Sequence, residues 1–274
     1  MRKIATAPKK GPELLEIERI MRLLETEFVG REIHYYEKVS STNTVAKQQA
    51  LDDAREGTTI IAETQTRGKG RLNRPWISPI GGIWLTIILR PQITIKDALK
   101  ITLTTAVAVA KTLYGMFNLK AEIKWPNDVL VDNRKVCGIL TETSSRKNNV
   151  DFVVAGIGIN ANFDSKMLPE ELQTIATTLK EVLKKEIDRE QLICHLLKEI
   201  EDLYKAFKAK NFETLLNEWR AFAGFLGKKV EITNFEEKFE GVAVDVDDDG
   251  ALLVRLADGT MRRVLSGDVT VRLA

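Results

Sequence analysis

The residues best suited to chemistry lie in one short loop, residues 64–76, with the sequence TQTRGKGRLNRPW. Two glycines alternate with three cations, and a further cation and an aromatic residue follow: Arg67, Gly68, Lys69, Gly70, Arg71, Arg74 and Trp76. Glycine lets backbone N–H groups approach a ligand closely, and clustered cations repel one another unless an anion lies among them. The loop is therefore predicted to wrap a carboxylate or a phosphate, although a solvated basic turn would have the same composition.

Four polar residues lie before this loop or at its start. Ser41, Thr42 and Asn43 precede a predicted helix, and Gln65 opens the loop. The first three suit either helix capping or the binding of a polar head group such as a urea or an amide. Gln65 would add a donor and an acceptor to that binding site.

A second motif, residues 124–128, has the sequence KWPND and ends a short predicted strand at a proline. The oxygen-bearing side chains of Asn127 and Asp128 suit Mg²⁺ or ribose-phosphate contacts, and an Asx-type turn would use the same residues. Lys135 begins the returning strand, so it is expected near Asp128, either as a salt bridge or as a further cation at the anion site. Three glycines inside later strands, with an asparagine at the end, indicate a close approach by a ligand or another backbone: Gly138, Gly156, Gly158 and Asn160.

Hydrophobic patterning predicts an α+β fold with a mixed central sheet and flanking helices. The predicted strands are 34–36, 58–63, 83–89, 122–125, 129–131, 135–142 and 151–160. The predicted helices are 13–27, 44–54, 96–117 and about three pieces within 169–222, after a tail at 1–12. Short strands and turn signals from 227 onward predict a small C-terminal β-barrel. Three parts follow: an N-terminal tail and helix at 1–27, a main domain at 28–225 and a barrel domain at 226–274.

The bulk composition excludes several classes of function. The 274 residues include 41 basic and 39 acidic side chains, so a net charge of +2 gives no general attraction to nucleic acid or membranes. No apolar run is long enough to span a bilayer, and no apolar segment follows the basic N-terminus as in a signal peptide. Cys137 and Cys194 are too few for a disulfide framework or a metal site. A cytoplasmic location is therefore expected.

Taken together, these motifs resemble the biotin–protein ligase family, the biotin–[acetyl-CoA-carboxylase] ligases, over residues 28–274. The KWPND element is the most diagnostic, and the other matches are Ser41–Asn43, Gly68–Arg71 with Arg74 and Trp76, Lys135 with Gly138, and Gly156–Asn160. The resemblance implies a sheet like that of class II synthetases and biotin–lipoate ligases, with an SH3-like C-terminal domain.

The resemblance also implies a two-step reaction. Biotin and Mg-ATP give biotinyl-5′-AMP and pyrophosphate, and a lysine of a biotin carboxyl carrier domain then attacks the adenylate and releases AMP. Lys69, Arg71 and Lys135 would offset the charge of the reacting anions. Asp128 would orient or deprotonate the incoming lysine amine. Mg²⁺ would arrive with ATP, near Asn127 and Asp128.

Family positions assign further residues to the two substrates. The biotin site would comprise Ser41, Thr42, Asn43, Gln65, Gly68, Lys69, Gly70, Arg71, Lys135, Gly138, Gly156 and Ile159. The ATP site would comprise Arg71, Arg74, Trp76, Lys124, Asn127 and Asn160.

This chain departs from the family pattern in three places. Lys69 replaces the usual first arginine of the loop, and lysine lacks the bidentate fork of arginine. Asn73 stands where many members have glycine, and asparagine tolerates the left-handed conformation. The residues before the main domain are too few for the winged helix of many bacterial members, so no specific DNA binding is expected. The carrier domain is the expected partner, and an edge strand near 132–142 or near 151 would serve that domain or a homodimer.

Three alternatives stay open. A lipoate–protein ligase would use a similar fold, although a dithiolane favours an apolar pocket over Ser41, Thr42, Asn43 and Gln65. A non-catalytic regulator that binds biotin or a nucleotide would not need Arg71, Lys135 and Asp128. A nucleic-acid-binding protein would use the basic loop, but the net charge of +2 argues against it.

Overall fold

The protein is described here from a computed structural model, which covers residues 14–234 and 237–271. The predicted tail at 1–12 lies outside the described residues. The helices are α1 (Ile17–Leu23), α2 (Thr42–Leu51), α3 (Ala98–Phe117), α4 (Glu170–Gln173), α5 (Leu179–Leu183), α6 (Arg189–Lys208) and α7 (Phe212–Phe222). No helix within these residues combines the length and apolarity that crossing a bilayer requires.

Within the described residues, the main domain contains a seven-stranded sheet. Its strands are β1 (Ile33–Val39), β2 (Thr59–Gln65), β3 (Ile83–Leu89), β4 (Ala121–Lys124), β5 (Asp128–Val131), β6 (Arg134–Arg146) and β7 (Asn149–Ile159). The order is β1-β2-β3-β7-β6-β5-β4, with β1 and β2 parallel and the other neighbours antiparallel. The predicted mixed sheet and its α+β class are therefore confirmed.

Both faces of this sheet are covered. Alternate residues of β3, such as Leu85 and Ile87, join the main core with α3 and α6. The side chain of Ile88 points to the other face and packs against Ala46 and Ala50 of α2, because successive strand residues face opposite sides. Thr86 shares the face of Ile88, so the one hydroxyl in an otherwise apolar strand is directed toward α2.

The C-terminal residues form a second, smaller antiparallel sheet of SH3-like type. Its strands are β8 (Lys229–Thr233), β9 (Lys238–Val246), β10 (Leu252–Arg255), β11 (Met261–Val264) and β12 (Asp268–Val271), in the order β11-β10-β9-β8-β12. Trp125 of the KWPND motif is 1% exposed, and its Nε1 donates to the carbonyl oxygen of Gly250 at 3.0 Å. The two sheets are therefore in direct contact beside that motif.

The first helix is shorter than predicted, because α1 begins at Ile17 rather than near residue 13 and ends at Leu23 rather than near residue 27. The carboxylate of Glu201 accepts hydrogen bonds from the backbone N–H groups of Glu27, Phe28 and Val29 at 2.7–2.9 Å. The helix already ends at Leu24, whose ψ of 128° is extended, and the amides of residues 27–29 are satisfied by a buried acid on α6 and not by helix carbonyls.

Other boundaries also shift. Helix α2 begins at Thr42 rather than Thr44, and β6 and β7 are longer than predicted, so their turn lies at 147–148 rather than 148–149. The predicted breaks near 186 and 210 are present and separate α5, α6 and α7. Before the first break, however, the chain forms two short helices, α4 and α5, instead of one long helix. The two-residue turn at Asp132 and Asn133 is confirmed, with φ of 50° and 60°.

A buried ion pair connects α6 to this sheet, and its carboxylate also binds the N-terminal segment. Glu63 of β2 and Arg189 of α6 have side chains that are 1% and 5% exposed, and their charged groups lie 2.9 Å apart. The Glu63 carboxylate also accepts from the backbone N–H of Leu15 at 2.5 Å and from the Tyr35 hydroxyl at 3.1 Å. Burial, and then the charge of Glu63, raises the pKa of Tyr35 to about 12.

Removing the charge of Glu63 is expected to destabilise the protein strongly. Because Glu63→Gln removes the carboxylate charge that lies 2.9 Å from the buried guanidinium of Arg189, the free energy of unfolding should fall by about 3–5 kcal/mol. Urea denaturation of the wild type and the variant measures the difference.

The matched control is Lys198→Gln, which breaks the Lys198–Asp202 pair, whose side chains are 39% and 50% exposed. Exposed pairs contribute roughly 0–1 kcal/mol, so this variant should stay close to the wild type. Equal losses in the two variants would contradict a special role for the buried pair.

Candidate functional site

A buried cluster of polar side chains lies where α2 begins. We call it the polar cluster and define it as Thr42, Asn43, Gln65, Ser78 and Thr86. Thr42 is 3% exposed and Thr86 is fully buried. The Gln65 Oε1 accepts from the Thr42 backbone N–H at 2.8 Å and lies 3.1 Å from the Thr42 hydroxyl. Ser41 precedes α2 at its N-cap but makes no side-chain capping bond, and Gln65 satisfies the first free amide of the helix, that of Thr42.

Asn43 fits closely between α2 and the sheet. Its Nδ2 donates to the Leu140 carbonyl oxygen at 3.1 Å and to the Glu142 carboxylate at 2.9 Å. A Cβ atom built on Gly156 would lie 2.0 Å from the Asn43 Oδ1, so any larger residue at 156 would displace Asn43. The glycine predicted to allow a close approach therefore admits the Asn43 side chain.

Glu142 lies behind this asparagine and pairs with Lys47, whose Nζ is 2.6 Å from the carboxylate. Burial opposes ionisation of Glu142, but hydrogen bonds from Lys47 and Asn43 outweigh it and hold the pKa of Glu142 below its usual value. The carboxylate is therefore charged at neutral pH.

The indole of Trp76 lies across two other strand glycines. Cβ atoms built on Gly138 and Gly158 would come within 2.8 Å and 2.5 Å of its ring atoms. The Lys135 Nζ lies 5.0 Å from the centroid of the same ring and 2.6 Å from the Asp128 carboxylate. Lys135 thus lies next to Asp128, as predicted, and the Trp76 ring packs against the Lys135 ammonium group.

The basic loop connects these two regions. Gly68 lies beside Gln65, since a Cβ there would be 3.2 Å from the Gln65 Nε2. The Trp76 backbone N–H donates to the Gly68 carbonyl oxygen at 2.9 Å, and the Gly70 N–H donates to that of Arg74 at 2.8 Å. The loop is therefore a narrow hairpin that starts at the polar cluster and ends at the Lys135 side of the site. Asn73 has φ of 57°, the left-handed conformation expected for it.

Two loop arginines contact the C-terminal sheet. The Arg71 Nη1 donates to the Asn127 Oδ1 at 3.3 Å and to the Gly267 carbonyl oxygen at 3.0 Å. Asp268 accepts from Arg74 and lies 3.9 Å from Arg71. Burial lowers the pKa of Arg71, and the charge of Asp268 opposes that shift. The second sheet therefore positions the cationic end of the loop.

The remaining predicted residues have varied surroundings. Lys69 and Lys124 form no salt bridge with any residue in 14–234 or 237–271. The Asn160 side chain is 3% exposed, and its Nδ2 donates to the Thr177 carbonyl oxygen at 3.0 Å. Ile159 is 1% exposed, and its side chain packs in the main core. It therefore lies on the face of the sheet opposite the polar cluster.

Sequence reasoning missed four polar residues near the site: Ser78, Thr86, Glu142 and Asp268. The Ser78 hydroxyl accepts from the Gln65 Nε2 at 2.8 Å, and Thr86 contacts both Thr42 and Asn43. A single threonine within the strand sequence IWLTIIL was an available signal for Thr86. Asp268 gave none, because its role depends on how the two sheets pack.

Comparison with known proteins agrees with this geometry. Residues 35–160 match the model of the biotin/lipoate A/B protein ligase family, and residues 225–272 match the biotin protein ligase C-terminal domain. The bifunctional ligase/repressor BirA of Bacillus spizizenii is 36% identical over 261 residues, which cover 95% of this chain and 80% of that protein. This chain belongs to the biotin protein ligase family.

Further relatives support the assignment of this ligase to the biotin protein ligase family. A biotin–[acetyl-CoA-carboxylase] ligase of Paracoccus denitrificans is 30% identical over 72% of this chain and 83% of its own length. The biotin protein ligase of Aquifex aeolicus, solved in complex with biotin and ATP, superposes with a TM-score of 0.76 at 31% identity, covering 89% of this ligase and 100% of that chain. The resemblance drawn from the motifs is therefore confirmed.

The close fit of Asn43 against the sheet predicts that Gly156→Ala destabilises the ligase. The added methyl group would collide with the Asn43 Oδ1, and overpacking of this kind typically lowers the free energy of unfolding by about 1–3 kcal/mol. Urea denaturation measures the change.

Gly115→Ala in α3 is the matched control, because a Cβ there meets nothing within 4 Å. Alanine in a helix is favoured over glycine, so this variant should gain about 0.5–1 kcal/mol. If both variants shifted stability in the same direction, the packing argument for Gly156 would be wrong.

Proposed function

We propose that this ligase activates biotin with ATP to biotinyl-5′-AMP and then transfers biotin to a lysine of a biotin carboxyl carrier protein. The observation that carries the proposal is the basic loop, which connects an uncharged polar cluster to a group of cations. Biotin has the matching chemistry, with a neutral ureido ring at one end and a carboxylate at the other. The polar cluster would take the ring, and Arg71 and Lys135 would take the carboxylate and the α-phosphate.

The first step joins two anions. An oxygen of the biotin carboxylate attacks the α-phosphorus of ATP, a new P–O bond forms, and the bond to pyrophosphate breaks. No protein nucleophile is needed, because the substrate carboxylate attacks. Lys69, Arg71 and Lys135 would offset the negative charge that builds up in the transition state. Positioning of two bound substrates supplies much of the remaining rate enhancement, an effect worth roughly 7–11 kcal/mol.

The second step breaks the mixed anhydride. The nitrogen of the carrier lysine attacks the carbonyl carbon of biotinyl-5′-AMP, an amide bond forms, and AMP leaves. Asp128 would accept the proton that the amine loses. Asp128 lies beside Lys135, so the same small region would bring the base next to the cation that holds the acyl phosphate. A loop that covers the adenylate would also protect it from water.

Mg²⁺ enters this proposal as part of Mg-ATP. The described residues contain no group of three acidic, histidine or cysteine side chains arranged to hold a metal ion. Asn127 Oδ1 accepts from Arg71, and Asp128 Oδ1 pairs with Lys135, so a metal ion at either atom would lie next to a positively charged side chain. The phosphates of ATP would therefore supply the main ligands.

The match of residues 225–272 to the biotin ligase C-terminal domain supports biotin over lipoate as the substrate. The names of the relatives support a carrier protein as the partner. Strand β6 continues to Arg146, but its pairing with β5 ends at Gly138. The second half of β6 therefore has a strand partner on one side only, which supports this edge as a binding surface for the carrier or for a second copy of the ligase. The absence of specific DNA binding and the cytoplasmic location stay predictions.

The first step is tested by biotin-dependent exchange of label between pyrophosphate and ATP. Wild type should catalyse the exchange, and Arg71→Ala should lower it by about 10²- to 10³-fold because a cation at the developing charge is lost. The control is Arg55→Ala, which removes an exposed arginine outside the site and should retain full exchange. A wild type without exchange above a no-biotin reaction would reject the proposed function.

The second step is tested with Asp128→Asn and preformed biotinyl-5′-AMP. Loss of a general base should slow transfer to the carrier lysine by roughly 10²-fold or more. Pyrophosphate exchange by the same variant reports any separate damage to the first step. Transfer as fast as that of the wild type would remove Asp128 from the mechanism.

A further inference from the structure

One carboxylate of the C-terminal sheet lies between two cations of the basic loop. Asp268 is the first residue of β12, an edge strand that pairs with β8. Its Oδ2 accepts a hydrogen bond from the Arg74 Nη2, and its Oδ1 lies 3.9 Å from the Arg71 Nη1. Asp268 and Arg74 are 194 positions apart in the chain, so the contact requires the second sheet to be docked against the main domain.

Electrostatics favours a carboxylate at this place. Burial is the main cause that lowers the pKa of Arg71, and the charge of Arg74 lowers it further, whereas the charge of Asp268 raises it. Two cations repel each other unless an anion lies between them. Asp268 therefore offsets the repulsion that would drive the two guanidinium groups apart.

The guanidinium of Arg71 is anchored through one nitrogen only. Its Nη1 donates to the Asn127 Oδ1 at 3.3 Å and to the Gly267 carbonyl oxygen at 3.0 Å, which uses both hydrogens of that nitrogen. Its Nε and Nη2 have no hydrogen-bond partner among residues 14–234 and 237–271. These two nitrogens form the fork with which arginine binds a carboxylate or a phosphate through two parallel bonds. The contacts at Nη1 thus fix the plane in which the fork is presented.

The turn at the end of the loop depends on these contacts. Leu72 is 43% exposed and has φ of 57°, a left-handed conformation that a bulky side chain disfavours. Within the described part of the chain, the backbone hydrogen bonds of residues 71–74 stay inside the loop. The bonds from their side chains to other parts of the protein end at Asn127, Gly267 and Asp268. Two of these three acceptors belong to the C-terminal domain.

We propose that Asp268 is a positioning residue that latches the basic loop to the C-terminal sheet and thereby orients the fork of Arg71. It acts through Arg74 and Arg71 and touches neither substrate. The use of the fork for the biotin carboxylate or the α-phosphate rests on the proposed function. The latch itself is tested without any substrate.

Trypsin measures how often the loop opens, because the loop contains cleavable bonds after Arg67, Lys69 and Arg71. When opening and closing are fast, the rate of cleavage follows the population of the open form. Asp268→Ala should speed cleavage after Lys69 and Arg71 by roughly fivefold, as expected for the loss of a partly exposed ion pair. Mass spectrometry of the fragments assigns the cleaved bonds.

Asp268→Glu is the conservative variant, because it keeps the carboxylate, and it should restore most of the protection. Both variants should fold, since the second contact between the sheets, from Trp125 to Gly250, is retained. Urea denaturation verifies this, because a general loss of structure would lower the free energy of unfolding together with the protection.

Pyrophosphate exchange reports whether the latch also orients Arg71. Asp268→Ala should lower kcat/KM for ATP by roughly fivefold, in parallel with the loss of protection. Asp268→Glu should recover most of this activity, because the carboxylate again lies between the two arginines. A change in protection without any change in exchange would remove the orienting role from Asp268.

Asp249→Ala is the matched control. Asp249 is also an acid of the C-terminal domain that pairs with an arginine, since its Oδ2 lies 2.5 Å from the Arg263 Nη2. Its pair lies within that domain, so both trypsin cleavage and exchange should equal those of the wild type. Unchanged cleavage in Asp268→Ala, equal changes in Asp249→Ala, or no recovery in Asp268→Glu would overturn the latch. A wild type without biotin-dependent exchange would reject the proposed function and leave the cleavage result intact.

Discussion

The contact between Asn43 and Gly156 is the constraint on which the site depends. Across the sheet, Thr86 of β3, Gly156 of β7 and Leu140 of β6 are register partners, so one row of the sheet presents a hydroxyl, a gap and a carbonyl oxygen. Asn43 fills the gap and bonds to both neighbours. Helix α2 is thereby held close to the sheet, and the polar cluster is buried without leaving Asn43 or Thr86 unsatisfied.

Charge is arranged around this neutral centre in two separate groups. Glu142 and Lys47 lie behind Asn43, whereas Arg71, Lys135 and Asp128 lie at the far end of the basic loop. A ligand with one uncharged polar end and one anionic end fits this division, because its polar end would meet hydrogen-bonding groups and its anionic end would meet cations. Contact of Arg71 with Gly267 and Asn127 also makes the C-terminal sheet part of the site, since it holds a loop cation next to the KWPND motif.

Much of the fold followed from local patterns. Strand β3 is apolar apart from Thr86 and lies in the sheet interior, and the turn at Asp132 and Asn133 has the residue types that positive φ favours. Helix ends were less predictable. Helix α1 ends at Leu23, and a carboxylate from α6, far away in sequence, binds the backbone amides of residues 27–29, a contact that no local pattern contains.

The sequence by itself predicted which residues would meet a ligand: the glycine-spaced cations, the Ser41–Asn43 group, the KWPND motif and the strand glycines. These features depend on short stretches of chain, so the family and the α+β fold could be predicted from them. The tertiary structure alone decided that Gly156 accommodates Asn43, that Trp76 covers Gly138 and Gly158, and that Asp268 and Glu142 belong to the site. Those contacts join residues that are distant in the chain, and strand register and sheet packing, rather than local sequence, bring them together.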